Sequence, residues 1–425
     1  MTYEAMLQKL YNLKGSGLDL ERLLRALGDP HKSFRAIRVA GTNGKGSVCA
    51  FLAQILHEAG FRVGLFTSPH LVHPEERIRV NDREISPHEF QEEFERIWAA
   101  ITELYGSASE QYARFFEVLT LMALDYFRRE RVDWAVIECG VGARTDATRV
   151  IAAPVAVLTN VELDHRESLG TTITQIASHK AAVVAPGGTL ITAESKPEAL
   201  REIERECHLK NAQLVQLDLS GLKVRAQSWD GQRFTWRDWE NLEISLVGSY
   251  QLSNAVLALE AARALGEPAL TEETIRTGLA RARWPGRMEL IQKNPHVMLD
   301  GAKNPAGMRA LRTALALLPY ERAFLVLGIS DRKDAEAMIR EIAPIAQEVI
   351  VTRAAFRGLD PEYVASVVRR CGVPCEVVTP PPLALEAALR RAHKDDLICV
   401  TGSLFVVGEV RAWWHRQGHP HEDYH

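Results

Sequence analysis

Cysteine is scarce in this chain, with six in 425 residues, at positions 49, 139, 207, 371, 375 and 399. Cys371 and Cys375 are too far apart for a C-x-x-C redox pair, and no second pair completes a zinc site. The thiols read as reduced and packed, as in a cytoplasmic protein. No uncharged apolar run approaches the roughly 18–20 residues that a membrane span requires. The best stretch, Val150 to Val161, is short and broken by Pro154 and Asn160. The first residues, MTYEAMLQKLYNLKG, lack the basic-then-apolar pattern of a secretory signal. Charge of one sign is also lacking: 51 basic against 55 acidic residues leave −4. Such a field exerts no general pull toward nucleic acid or anionic lipid, so any anionic ligand has to be held by a local site.

What is present is an ordinary globular composition, 46% apolar and 25% charged, which excludes a disordered chain. At roughly 150 residues per domain the length implies two or three domains. Short β-branched runs alternate with helical patterns, which predicts a parallel sheet covered by helices. Strands are expected at Arg35–Gly41, Arg62–Ser68, Asp133–Cys139 and Pro154–Asn160. Helices are expected over Ser47–Ala59, Pro87–Tyr105 and Glu117–Arg129. From Thr189 to Ile244 the short runs TLITAE, QLVQLD and SWDGQRFTW predict a small antiparallel excursion around the Asp230-Gly231 turn. A helix returns over Leu252–Leu265. Trp284-Pro285-Gly286 is the best break in the chain. Strands at His296–Leu299, Ala323–Ile329, Glu348–Thr352, Glu376–Thr379 and Leu397–Thr401 then predict a second doubly wound domain. His415, His419, His421 and His425 share no organising spacing and read as a solvated tail.

The segment Gly41-Thr42-Asn43-Gly44-Lys45-Gly46-Ser47 stands between a strand and a helix. Glycines there let backbone N–H groups converge on an anion, the helix start adds its positive end, and Lys45 reaches a terminal phosphate. Ser47 is placed to ligate the accompanying Mg²⁺. Gly46 separates Lys45 from the hydroxyl, so this is not the common G-x-x-x-x-G-K-[ST] loop. A glycine turn of structural origin alone would need neither the lysine nor the hydroxyl.

This loop resembles that of the folylpolyglutamate synthase and dihydrofolate synthase branch of the Mur ligase family. The likeness continues in family order through Thr67-Ser68-Pro69-His70-Leu71 with Glu76-Arg77-Ile78, then Phe116-Glu117 with Thr120. Next come Glu138 to Thr148 (ECGVGARTDAT) and Asp164-His165 with Leu169-Gly170. Pro285-Gly286-Arg287, Asp300-Gly301-Ala302, Asp331 with Lys333-Asp334, and Gly402-Ser403-Leu404 complete it. The resemblance implies a two-domain α/β fold. Residues 1–286 would form a P-loop-type parallel-sheet ATPase domain and residues 287–425 a smaller Rossmann-like ligase domain, with ligands in the cleft between them.

By the same resemblance ATP would be held by residues 41–47, Asn254, Arg287 and Asp300. One or two Mg²⁺ ions would be held by Glu138 and His165 with Ser47 or Ser68, since Mg²⁺ prefers oxygen donors and keeps waters. Lys45, His165, Lys180 and Lys303 would serve the chemistry. Lys180 falls where the family carries a carbamylated lysine, and the residue before it is His179 rather than the family's Glu. Phe116, Arg144, Asp146 and Ser403 would contact substrates. Departures from the pattern are Ala143 for the second glycine of a GG-R turn, where any φ > 0 is penalised, Arg149 for the usual Asn, and Lys303 for a His. With Arg114, these bear on the acceptor more than on ATP. The implied reaction is ATP-dependent ligation of L-glutamate to dihydropteroate or a reduced folate by way of an acyl phosphate. The expected enzyme is a cytoplasmic monomer with small-molecule substrates and no nucleic-acid or membrane partner. Its rivals are a Mur-type ligase for another carboxylate, an inactive nucleotide-binding regulator, and a motor-type P-loop ATPase; the last is disfavoured by Gly46 and the second doubly wound domain.

Overall fold

In a computed structural model the described residues are 1–418. Three of the four tail histidines (His419, His421 and His425) lie outside them, and His415 belongs to the helix Leu404–Arg416. The chain forms two units, one of Met1–Ser220 with Asn254–Arg281, the other of Gly221–Ser253 with the chain from Ala282 on.

The first unit is built on an eight-stranded sheet. Its strands are β1 (Arg35–Ala40), β2 (Val63–Phe66), β3 (Ile78–Val80), β4 (Arg83–Glu84), β5 (Trp134–Glu138), β6 (Val155–Leu158), β7 (Thr189–Thr192) and β8 (Gln213–Gln216), in the order β4-β3-β2-β5-β1-β6-β7-β8. The six strands from β2 to β8 in that order run parallel, while β3 and β4 add an antiparallel edge. Continuous burial of β2, β5 and β6 is what a sheet with helices on both faces demands. One apolar core gathers Phe66, Ile97, Leu119, Phe127 and Ile137. Another gathers Ala40, Cys139, Leu158, Ile176, Leu190 and Ile203. The helix Lys45–Glu58 is met by Glu272–Arg281 at Gly278, where a Cβ would come within 2.5 Å of the Ile55 Cα. Parallel strands bring the segments after β1, β2, β5 and β6 to one edge of the sheet, the edge at which such folds bind ligands.

The stretch from Thr189 corrects the expectation of an antiparallel excursion. TLIT and QLVQ are β7 and β8, parallel neighbours in the main sheet, because Pro197–Leu209 forms a crossover helix between them. Its buried face is only Ala199, Ile203, Glu206 and Cys207, a stripe hidden among the charges of PEALREIERECHL. The antiparallel sheet is confined to β9 (Leu222–Ser228), β10 (Gly231–Trp236) and β11 (Trp239–Ile244).

These three strands fall in the second unit, although the sequence reading placed them before its break. Trp229 stacks on His296 with ring centroids 4.3 Å apart and donates from Nε1 to the Pro319 carbonyl at 3.1 Å. Val247 joins Met288 and Met298 in one core. That unit's main sheet has β12 (Glu289–Lys293), β13 (His296–Leu299), β14 (Ala323–Leu327), β15 (Glu348–Val351), β16 (Cys375–Val377) and β17 (Leu397–Thr401), in the order β12-β13-β17-β14-β15-β16. All are parallel except β12. This half-buried edge strand escaped the sequence reading because it presents no apolar alternation.

Candidate active site

Gly41 leaves β1 with φ 145°, and a Cβ built on it would lie 1.8 Å from Thr159 Oγ1. The residues after β6 then hold the loop. The Thr42 N–H donates to the Asn160 carbonyl (2.9 Å), and the Thr42 hydroxyl accepts from the Glu162 N–H (3.0 Å). The Asn43 N–H donates to Asn160 Oδ1 (3.0 Å), while the Asn43 carbonyl accepts from Thr159 Oγ1 (2.6 Å) and Asn160 Nδ2 (3.2 Å). Gly44 begins the helix Lys45–Glu58 at φ 85° with no side-chain cap, and its Cα faces the Asn254 side chain, where a Cβ would come within 2.5 Å. The first-turn amides of an uncapped helix are the donors that an anion takes up.

Charged side chains stand close to this loop. Lys45 Nζ lies 3.2 Å from the Thr42 carbonyl and 3.8 Å from Glu138 Oε1. Glu138, ending β5, is 4% exposed and accepts the Ser68 N–H at 3.0 Å on Oε2. Lys180 is also 4% exposed and donates to the Gly41 carbonyl at 2.5 Å. Ser47 is buried in the first turn of the helix. Lys45 and Lys180 thus bring two ammonium groups to the loop, and the low dielectric strengthens their pull on an anion.

His165 caps the one-turn helix Arg166–Leu169 in a left-handed conformation, φ 49°. Its N–H donates to Asp164 Oδ1 (2.9 Å), and its half-exposed ring lies 3.9 Å from Asp164 Oδ2. Among the described residues, no group of three or more His, Cys, Asp or Glu is gathered closely enough to hold a metal.

The turn after β5 is organised by Asp146. Oδ2 accepts from the Gly140 and Val141 amides (3.0 and 3.2 Å), and Oδ1 accepts from the Thr148 amide (3.0 Å) and hydroxyl (2.5 Å). Burial pushes the carboxyl upward, and these donors pull it back. Phe116 packs on Phe66, 5.6 Å between centroids, and stands beside Gly140, where a Cβ would meet its ring. The strain expected at Ala143 does not arise: the left-handed residue is Gly142, φ 73°. The Ala143 and Arg144 amides both donate to the His179 carbonyl (3.1 Å each). Arg144 itself is engaged by Glu206 (2.7 Å) and the Ser178 carbonyl (3.0 Å). Asparagine at 146 would keep one acceptor oxygen and turn an NH₂ toward amide donors. Asp146→Asn should therefore cost about 2–3 kcal/mol in urea unfolding. A change under about 0.5 kcal/mol would mean that this carboxylate does not order the turn.

In the second unit Asp300 is 3% exposed. Its carboxylate accepts from Tyr250 OH (3.3 Å) and from the Met288 and Ala302 amides (3.0 and 2.9 Å). Burial pushes its pKa up, with Arg287 opposing. Arg287 donates to the Gly286 carbonyl (2.9 Å). Ser403 caps the helix Leu404–Arg416 and shares a 2.8 Å hydrogen bond with Ser330. Lys303 is half-buried, and the next residue, Asn304, caps the helix Pro305–Leu315.

Three residues around these groups went without a role in the sequence reading. Arg38, in the middle of β1, reaches the Val183 carbonyl (3.2 Å) and Thr148 Oγ1 (3.3 Å); a charge inside an apolar strand was its signal. Tyr250, four residues before Asn254 on a helix face, was the second, and Arg77 the third.

A hollow of about 790 Å³ on the first unit is lined by Ala5, Lys9, Asn12, Lys14 and Glu110 among others, and by no residue of the phosphate loop. Its Lys9 is already engaged by Glu110 (3.2 Å) and the Trp98 face.

Comparison with known proteins matches residues 39–262 to the Mur ligase middle domain and residues 286–404 to the Mur ligase glutamate ligase domain. The folylpolyglutamate synthase of Lacticaseibacillus casei is 38% identical over 401 residues, covering 92% of each chain. A probable bifunctional folylpolyglutamate synthase/dihydropteroate synthase of Haloferax volcanii is 35% identical over 416 residues; the match takes in 96% of this chain but 49% of that relative's length. Among solved structures, E. coli FolC in complex with DHPP and ADP superposes with a TM-score of 0.87 at 29% identity, covering 98% of this chain and 99% of that one.

Proposed function

The chain belongs to the Mur ligase family, together with the folylpolyglutamate and dihydrofolate synthases, and from that premise we propose that it ligates L-glutamate to a folate-type carboxylate at the expense of ATP. The observation that carries this reading is the glycine loop at the sheet edge, with Glu138 and Lys180 buried and Lys45 half-buried around it. An acceptor carboxylate oxygen attacks the terminal phosphorus of ATP, an acyl phosphate forms and ADP leaves. The amine of glutamate then displaces phosphate, giving the amide and a proton. Such transfers need positioning and charge stabilisation more than covalent help from protein.

Residues 41–47 hold the phosphates through amides and Lys45, and Asn254, Arg287 and Asp300 serve the nucleotide. Lys303 opposes developing charge. Phe116, Arg144, Asp146 and Ser403 serve the substrates, Asp146 and Arg144 by shaping the turn they anchor.

Mg²⁺ fits the donor set, because Ser47 and Glu138 offer buried oxygens beside the loop, with Ser68 and His165 completing the assignment. Bound there, the ion would screen phosphate charge. Lys180 carbamylation belongs to the same reading: a carbamate keeps one N–H that can continue to serve the Gly41 carbonyl, and its anion would support a second ion. The enzyme works as a cytoplasmic monomer, and the two units divide nucleotide and ligase roles.

The second reading is a different carboxylate acceptor, for which the observation is Arg149, exposed on the turn Ala147–Val150. One experiment tests both. Purified protein is incubated with ATP, glutamate and either dihydropteroate or tetrahydrofolate and read by mass. A gain of one glutamyl unit is expected on at least one acceptor, and none on either rejects the folate reading.

A further inference from the structure

Arg77 closes the turn Pro74–Arg77 ahead of β3 and is 7% exposed. A guanidinium so buried is ordinarily met by a carboxylate, since an unpaired charge out of water is costly. Here it is not. Nε donates to His70 Nδ1 at 2.9 Å, and the guanidinium carbon sits 5.2 Å from the Phe115 ring centroid. Among the described residues no carboxylate forms an ion pair with it. The two acids near enough to be felt are Glu138 and Glu76, and both are committed elsewhere. Glu76 accepts the amides of Leu71, Val72 and His73 (2.6, 2.7 and 3.2 Å). Glu138 takes the Ser68 amide and faces Lys45.

His70 does not neutralise the charge either. Its Nδ1 accepts the Nε–H, so that nitrogen carries no proton and the ring is an acceptor that fixes the plane of the guanidinium. The two terminal nitrogens are left as a fork, a geometry that matches a carboxylate bidentately. The Phe115 ring lies against this guanidinium, and other rings pack nearby. Tyr11 stacks on Phe115 at 5.5 Å, and its ring stands 6.2 Å from His70. Phe116, next along the helix Phe115–Arg129, stacks on Phe66.

We propose that Arg77 receives the acceptor's carboxylate and holds it for phosphoryl transfer; this rests on the ligase reading above. The phosphate loop has its own amides and Lys45, so ATP does not need this guanidinium. An aryl carboxylate uses both features of the place, the ring among the aromatic side chains and the anion on the fork. In the transfer, one carboxylate oxygen forms the new bond to phosphorus as the bond to ADP breaks. The other oxygen stays on Arg77 until the glutamate amine displaces phosphate.

The test compares wild type, Arg77→Gln and Arg77→Lys, each first checked by thermal melting. KM is measured for dihydropteroate and for ATP, and direct binding is measured for dihydropteroate and its decarboxylated analogue. Arg77→Gln should raise the acceptor KM on the order of 100-fold and leave the ATP KM within about twofold. Wild type should prefer the acid over the decarboxylated analogue, and Arg77→Gln should not discriminate. Arg77→Lys, which keeps the charge and loses the fork, should fall between and stands in if the glutamine variant does not fold. An unchanged preference for the acid in either folded variant overturns the proposal. Absence of any turnover by wild type removes the ligase reading itself, and the proposal with it.

Discussion

Glu138→Ala is expected to lose turnover by about 10³-fold or more while keeping the fold. Among the described residues this carboxylate is the one that pairs with Lys45 beside the loop, and it also receives the Ser68 amide. On the proposed assignment its loss removes the anchor for the ion that accompanies the triphosphate; it also leaves the Ser68 amide without its acceptor and Lys45 without this counter-charge. The structural cost should stay near 1–3 kcal/mol, the scale of an unsatisfied buried donor, because Lys45 is 14% exposed and retains the Thr42 carbonyl. Lys45→Ala should fall as far, and the double variant hardly further, since residues that act as a unit are not additive. ADP release in the presence of acceptor and glutamate, alongside thermal melting, checks this. A Glu138→Ala protein that keeps a tenth of wild-type turnover would displace this carboxylate from the chemistry. A wild type that binds ATP without releasing ADP would favour the regulatory reading.

What the sequence made legible was mostly local. The seven-residue loop between strand and helix carries its own punctuation, two positive-φ glycines ahead of a lysine, and β1, β5, β6, β13 and β17 are short apolar runs bounded by breakers. The misreadings came where neighbours decide. QLVQ looks like any edge strand until the helix before it is seen to cross over, and that helix buries few apolar residues among many charges. The penalty expected at Ala143 vanished because the turn places its left-handed residue one position earlier, at Gly142. Arg77 was visible only as a letter in a motif. Its isolation depends on Glu76 bending back to three amides and on a histidine seven positions earlier accepting its Nε–H, neither of which a spacing rule encodes. Nor does spacing encode that Arg144, read as a substrate contact, also donates to Glu206, a residue 62 positions away.

Gly41→Ala should reduce affinity for a non-hydrolysable ATP analogue by about 100-fold, the equivalent of roughly 3 kcal/mol, and lower the melting temperature. Two penalties act together. At φ 145° a side chain is strained whatever the space, and the methyl would sit 1.8 Å from Thr159 Oγ1. To admit it, Thr159 has to swing away and surrender its 2.6 Å bond to the Asn43 carbonyl, which is one of the ties that shape the loop. The Gly41 carbonyl would also move off Lys180. Overpacking of this kind costs about 1–3 kcal/mol. Adding Thr159→Ala separates the two effects: once the hydroxyl is gone, the remaining Thr159 contacts lie at 3.0 and 3.1 Å. The double variant should therefore regain part of the lost melting temperature. It should not regain nucleotide affinity, because Asn43 has lost the hydroxyl in either case. If Gly41→Ala bound the analogue within about threefold of wild type, the loop would tolerate a conformation its tethers argue against. The phosphate site would then have to be held by Lys45 and the helix amides alone.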